Sequence, residues 1–415
     1  MVEFFERNRF ILAFVVLNAI AGMSVGVAKI TTSLYAVALN ASALELSLIA
    51  GVQSVGVLLM SMPVGVLVDQ YGPKRLFMAG SLLGGVGYLL LSRAQAPLPL
   101  ALGSLFVSFC MPSRFVSMNA VFMQQLEKVG VARAGWLRGT HMIGFFLIGP
   151  ALAVSIIHSV NYSGTYLLIA LSFVLTAALS PYVTSHYQRS AASARKLSFV
   201  SLKAQFNALF SDRELVQISA IEFSCQAINQ YYTFFIVAIA INHYGFSAHT
   251  AASLVSVQGA VFILALFTLG GWVQRLGVLR AYQLSFTVMG IALLLLGVCQ
   301  KPEWLWVGGG CLGLGSGLLQ TVNISRFATI GARIGRGSVA GINAFAGPSG
   351  SLMGGVLGGM VGQMLGLQKT FLLFIPVLLG LSMVIRWRPM LSAAYANVGL
   401  AAHGASQVSS NGKDK

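Results

Sequence analysis

The stretch Gly65-Val-Leu-Val-Asp-Gln-Tyr-Gly-Pro-Lys-Arg75 lies between two long apolar segments and contains a single acid, Asp69. We interpret it as a short polar hairpin that joins two membrane helices. Gly72 permits a tight turn, Pro73 prevents the first helix from continuing, and the glycine at position 65 is expected to let two helices approach closely. The basic pair at its end, Lys74 and Arg75, opens the next helix on the positively charged side of the membrane.

This Gly-x-x-x-Asp-x-x-Gly-x-Lys-Arg pattern resembles the loop between helices two and three of the major facilitator superfamily of transporters. A weaker copy without the acid occurs half a chain later, with the same spacing, as Gly270, Gln274, Gly277 and Arg280. Two such loops predict two tandem repeats. The resemblance implies that residues of the first loop hold one conformation through contacts at the inner membrane surface: Gly65, Asp69, Gly72, Lys74 and Arg75.

A second internal repeat supports two halves. The predicted fifth helix carries Gly149-Pro150, and the predicted eleventh helix carries Gly347-Pro348. Glycine lets helices cross at short distance, and proline frees a carbonyl and permits a bend. The first of these pairs is similar to the helix-five motif of the drug and metabolite proton antiporters of the superfamily. We therefore predict that both pairs take part in conformational change.

Composition places the chain in lipid. Hydrophobic residues make up 56% of the 415 residues and charged residues only 9%, against about 25% charged in soluble domains. Continuous apolar runs exclude a transmembrane barrel. At about 20 apolar residues per span, the length predicts an all-α integral membrane protein with twelve transmembrane helices in two six-helix halves, related by a pseudo-two-fold axis as the resemblance implies.

The predicted division of the chain has four parts. Residues 1–185 form the first six-helix bundle, 186–214 a basic linker, 215–387 the second bundle and 388–415 a mobile tail. The linker is expected to include an amphipathic helix over 199–210 at the membrane interface.

Basic residues account for the formal charge of +16 and collect in alternate loops. This asymmetry follows the positive-inside rule and predicts a multi-pass protein of the inner membrane with both termini in the cytoplasm. It also argues against nucleic-acid binding, because no basic domain lies outside the membrane. The four cysteines show no paired short spacing, so we expect neither disulfides nor a metal site, and no cofactor is expected.

Three charged residues fall deep inside predicted spans, where each costs at least a few kcal/mol. They are Lys29 in helix 1, Arg114 in helix 4 and Glu222 in helix 7. In the family that this chain resembles, helices 1, 4, 7 and 10 line the central cavity. Further polar residues on these helices complete the set of candidate proton and substrate residues, namely Gln226, Asn229, Gln230 and Asn323.

Each candidate also has a purely structural interpretation. Lys29 can extend to the outer surface and anchor its helix. Arg114 can pair with loop or carbonyl groups, or form an ion pair with Glu222 that holds the two halves together. The amides of helix 7 can join helices without touching substrate.

The leading functional expectation is proton-coupled export of a small organic metabolite, drug or siderophore-like compound by alternating access. Two cations against one acid favour an organic anion or zwitterion. The alternatives are proton-coupled uptake of an organic anion or siderophore, and a non-transporting receptor or assembly factor. The chain has no phosphate-binding loop for ATP and no cluster of catalytic acids or histidines, so we expect no enzyme. A monomer is expected.

Overall fold

A computed structural model of the chain describes residues 2–129, 139–185, 187, 212–298, 300–334 and 336–387. Every regular element in these ranges is a helix. In the first half, α1 spans Val2–Ala38, α2 Ala43–Tyr71, α3 Pro73–Leu91 and α4 Pro97–Val129. A π-helix, Ile143–Ile148, then leads into the helix Gly149–Leu179. The backbone of that helix breaks at Asn161, with φ 60° and ψ 179°, so we number 139–160 as α5 and 162–179 as α6.

The second half repeats the pattern. It contains α7 (Arg213–Asn242), α8 (Ala248–Thr268), α9 (Val278–Val298), α10 (Trp304–Ile334), α11 (Arg336–Met360) and α12 (Phe374–Trp387). Three short helices, Pro181–Thr184, Gly270–Leu276 and Gly362–Leu365, and a 3-10 helix, Lys369–Leu373, lie in the connections. The predicted linker helix over 199–210 and the tail 388–415 lie outside the described residues.

Eight helical stretches in the described ranges are long and apolar enough to cross a membrane, and one of them, Gly139–Thr184, holds both α5 and α6. Three long helices, α3, α7 and α11, are not in this apolar set, because glycine and polar side chains lower their hydropathy. Hydropathy alone therefore supports fewer spans than the twelve predicted, while the all-helical, multi-pass fold in two halves is confirmed.

Short polar and glycine residues set where the helices begin and end. Ser42 and Glu45 form a reciprocal capping box at the start of α2, and the carboxylate of Asp212 accepts bonds from two amides at the start of α7. Gly72 and Gly277 turn the chain with φ of 85° and 78°, values that side chains rarely allow. The turn predicted at Gly72 is present, and α3 begins at Pro73.

Helix α7 is the most enclosed element of the bundle. Every residue from Tyr231 to Ala240 is buried, because α1, α8, α10 and α11 all pack against this helix. By contrast, α3 and α6 expose rows of leucine, such as Leu90 and Leu171 at 58% and 63%, as expected for helices that face lipid. Polar side chains on α7 consequently meet other helices and not the bilayer.

Candidate functional site

The two halves meet closely along one end of α2 and α11. The Oγ atom of Ser47 donates to the carbonyl of Gly355 at 2.6 Å. A Cβ atom added to Gly355 would lie 2.7 Å from the backbone nitrogen of Gly51, so the two backbones touch. Nearby, Ser33 on α1 donates to the carbonyl of Phe234 on α7 at 2.8 Å. We call this end of the bundle, which carries the connections 39–42 and 361–368, the closed face.

Glycines farther along the same two helices do not make this contact. A Cβ atom added to Gly65 on α2 would meet nothing within 4 Å, and one added to Gly347 on α11 would meet only Cγ of Gln226, at 3.8 Å. The close approach predicted for Gly65 is therefore wrong for this conformation, because open space lies next to that glycine. We call the end that carries the Gly72 and Gly277 turns the basic face.

A cavity of about 170 Å³ lies between α1, α2, α3, α4 and α5, and Gln230 of α7 reaches it from the second half. Inside it, Nζ of Lys29 donates to Oε1 of Gln230 at 2.7 Å and lies 5.6 Å from the centre of the Phe145 ring. The Nε2 atom of Gln230 donates to the carbonyl of Ala50 at 3.3 Å. Lys29 thus points inward in this conformation and does not extend to the surface.

Glu222 lies in a separate polar network of the second half. Its side chain is 2% exposed. Oε1 accepts from Gln226 at 2.9 Å and Oε2 accepts from Asn323 at 2.8 Å. The hydroxyl of Tyr282 on α9 in turn donates to Oδ1 of Asn323 at 2.7 Å. The network therefore connects α7, α10 and α9 through one buried carboxylate.

A second acid of α7, Glu214, pairs with a buried arginine of α10. Arg326 lies three residues after Asn323 on α10, on the same side of that helix, and its side chain is fully buried. It forms an ion pair with Glu214 in the first turn of α7. This pair joins α7 and α10 within one half, near the basic face.

Arg114 lies in the first half, apart from Glu222. Its Nη2 atom donates to Oγ1 of Thr176 on α6 at 3.1 Å, and its guanidinium carbon lies 3.7 Å from the centre of the Phe173 ring. Its Nε and Nη1 atoms have no hydrogen-bond partner in the described part of the chain. The predicted Glu222–Arg114 ion pair is absent from this conformation, because aromatic rings of the first half hold the guanidinium instead.

The predicted polar stripe on α7 divides between three neighbours. Gln226 contacts Glu222, Gln230 contacts α1 and α2, and Asn229 accepts from Gln258 of α8 at 3.2 Å. Asn229 also donates to the sulfur of Cys225 at 3.4 Å, so its contacts are those of a residue that joins helices.

The two glycine-proline pairs differ in the structure. A Cβ atom on Gly149 would lie 2.8 Å from Cα of Gly26 on α1, whereas Gly347 has room. Pro150 is the second residue after the π-helix Ile143–Ile148, and it has no amide hydrogen to donate to the carbonyls of that turn. Pro348 lies inside the continuous helix α11.

Other predicted gating residues sit at the basic face. Lys74 and Arg75 are exposed in the first turn of α3. Asp69 lies in the last turn of α2, and its side chain is outside the described part of the structure.

Sequence reasoning missed three residues that the structure adds to these networks. Gln53 lines the cavity, Tyr282 extends the Glu222 network, and Gln258 contacts Asn229. The two glutamines could have been found as polar residues inside apolar runs. A tyrosine in an apolar helix looks like ordinary core.

Comparison with known proteins agrees with this architecture. The family model for the Major Facilitator Superfamily matches residues 14–224 and again 219–398. The nucleoside transporter NupG superposes with a TM-score of 0.71 at 17% identity, over 91% of this chain and 98% of NupG. A point mutant of NupG gives 0.73 at 16% identity, over 91% and 99%. No curated protein matches the sequence.

The likeness to NupG shows the fold, and the family model covers nearly the whole chain in two repeats. The matches confirm a multi-pass membrane transporter and not an enzyme. The chain belongs to the Major Facilitator Superfamily.

Proposed function

We propose that this transporter moves a small organic anion together with a proton, by alternating access between its two halves. The observation that carries the proposal is a pair of separate polar sites, one in each half. Lys29 supplies positive charge to a cavity of the first half, and Glu222 supplies a buried carboxylate in the second. Buried ionisable groups in a membrane protein commonly mark such paths.

The proton is assigned to Glu222. Both of its oxygens accept hydrogen bonds from amides, and a protonated carboxyl adds an O–H donor that needs an acceptor. Protonation therefore favours rotation of Gln226 or Asn323, which would turn an amide oxygen toward the new donor. Because Tyr282 holds Asn323, the rearrangement passes from α7 to α10 and α9. A proton that changes packing in this way has different affinity for the two conformations, which is the requirement for coupling.

Two sites that share no hydrogen bond can be filled at the same time. Lys29 bonds to Gln230, while Glu222 bonds to Gln226 and Asn323. Simultaneous occupancy supports co-transport, and hence uptake driven by an inward proton gradient. Export in exchange for protons requires the two ligands to compete, which a shared group would provide. Export is therefore the second candidate.

The orientation follows from the basic loops. With the basic face in the cytoplasm of an inner membrane, contacts at the closed face seal the outer side, and the open space next to Gly65 and Gly347 lies toward the inner side. The described conformation is then inward-facing. A monomer is sufficient, because both sites lie within one chain.

The test is proton movement in proteoliposomes that contain purified protein and an internal pH-sensitive dye. We expect an added organic anion to acidify the interior. Acidification should be lost in Glu222→Gln and retained in Glu303→Gln, which removes an exposed acid in the connection before α10. Substrate-driven alkalinisation would support export by exchange. Substrate flux without proton movement would show that Glu222 is not a coupling site. If no compound of a broad panel of organic anions crosses the membrane, the result would favour a non-transporting receptor.

A further inference from the structure

The cavity around Lys29 is lined by two chemically different groups of side chains. The Lys29 ammonium and the amides of Gln53 and Gln230 form its polar part. The rings of Phe115 and Phe145 form its aromatic part, and Phe145 lies beside the ammonium, with its ring centre 5.6 Å from Nζ. None of the residues that line this cavity is acidic. A ligand that fits both parts carries negative charge next to a flat apolar group.

One ring fits the volume of the cavity. The cavity holds about 170 Å³, close to the engineered apolar cavity of about 150 Å³ that accepts benzene. A compact molecule with a single ring therefore fits beside Lys29.

The polar part of the cavity lacks a negative partner for its charge. Lys29 bonds to a neutral amide oxygen at 2.7 Å, and its positive charge meets no carboxylate among the residues that line the cavity. The Nε2 donor of Gln53 is buried and has no hydrogen-bond partner among the described residues. A carboxylate presents two acceptor oxygens, one for each of these donors. Displaced from Lys29, Gln230 keeps its bond to the Ala50 carbonyl.

Contacts between rings already fix the orientation of the aromatic side chains in the cavity. The ring of Phe145 meets that of Phe146 edge to face, with centres 4.7 Å apart. Phe115 meets His141 in the same manner at 5.1 Å and is 37% exposed. Rings held in this way offer fixed faces and edges to another ring. A saturated ring of equal size fills the same space without the aromatic geometry.

We propose that the Lys29 cavity binds single-ring aromatic carboxylates, with the carboxylate on Lys29 and Gln53 and the ring against Phe145 and Phe115. This inference rests on the proposed function, because it names the substrate class for the same transporter. It makes Lys29 the residue that selects charge and Phe145 the residue that selects an aromatic ring.

The test measures binding of four compounds to the full-length protein in detergent by isothermal titration calorimetry. Benzoate should bind more tightly than cyclohexanecarboxylate, which lacks the aromatic ring, by about 2- to 12-fold, the range for one aromatic contact. Benzamide lacks the charge, and uridine represents an uncharged nucleoside. Both should bind at least tenfold more weakly than benzoate.

Variants assign the two preferences to the two residues. Lys29→Gln should remove the preference for benzoate over benzamide, Lys29→Arg should keep it, and Lys301→Gln, an exposed lysine outside the cavity, should leave all affinities unchanged. Phe145→Leu should remove the preference for benzoate over cyclohexanecarboxylate. Because each result is a ratio within one folded variant, a general loss of stability cannot produce it.

Three outcomes would overturn the inference. Equal affinity for benzoate and benzamide would exclude a charge-selecting Lys29, and unchanged ratios in Lys29→Gln would place the ligand elsewhere. If the protein carries aliphatic carboxylates with protons but ignores aromatic ones, the substrate class is wrong and the proposed function stands. If benzoate binds with the expected ratios but no proton moves, the cavity assignment stands and proton coupling fails.

Discussion

Replacement of Gly355 by alanine should push the transporter out of the described conformation. The added methyl group would lie 2.7 Å from the nitrogen and 2.8 Å from Cα of Gly51, and neither backbone atom can rotate away. Overpacking of this kind costs about 1–3 kcal/mol. The cost applies only while the closed face is closed, so the ratio of closed to open should fall about 5- to 150-fold.

Distances between spin labels report this change directly. Leu44 at the start of α2 and Met364 after α11 are 49% and 84% exposed at the closed face, so both positions accept a label. Double electron–electron resonance in nanodiscs should show one short distance in the parent protein. In Gly355→Ala, a longer distance should dominate.

Two other glycines of α11 provide matched controls. Gly347→Ala meets only Cγ of Gln226, at 3.8 Å, and should leave the distances unchanged. Gly350→Ala would place its Cβ atom 2.0 Å from the Phe223 carbonyl, within one half, so it should lower the melting temperature without favouring the longer distance. An unchanged distribution in Gly355→Ala would refute backbone contact between α2 and α11 in the membrane.

Three further predictions concern stability and helix geometry. Gly72→Ala and Gly277→Ala place a Cβ atom at φ of 85° and 78°, so each should lower the free energy of unfolding by about 1–3 kcal/mol. Both variants should melt at a lower temperature in a thermal-shift assay. Gly65→Ala, whose Cβ atom lies in open space within a helix, should not. Arg114→Met removes a buried charge and should melt at the same or higher temperature; a lower value would mean that the aromatic contacts outweigh burial of the charge. Pro150→Ala restores an amide hydrogen and should slow hydrogen exchange over 143–148, and unchanged exchange would assign the π-helix to another cause.

The parts of the fold that depend on local chemistry could be predicted from sequence. A tight turn at Gly72 follows from backbone freedom next to a proline, and the membrane class follows from composition. Whether another helix packs against Gly65 could not be predicted in the same way. Its surroundings depend on how far the second half has moved, which no local pattern encodes.

The same distinction between local chemistry and the arrangement of the helices applies to the candidate site. Lys29, Gln230, Glu222 and Asn323 stand out because polar groups in apolar helices need partners, and the structure gives each of them one. Which partner each finds depends on helix rotation. That is why Arg114, expected near Glu222, lies instead over the ring of Phe173.

Both carboxylate oxygens of Glu222 already accept hydrogen bonds, and this restricts which substitutions the two helices tolerate. A glutamine at 222 would turn one acceptor into an amide donor that faces the donor of Gln226 or Asn323. Asn323→Asp would remove one of those donors and still accept from Tyr282. The negative charge can therefore move from α7 to α10 only through paired substitutions at positions 222 and 323. Related sequences with an acid at 323 should carry an amide at 222, and a carboxylate at both positions should be rare.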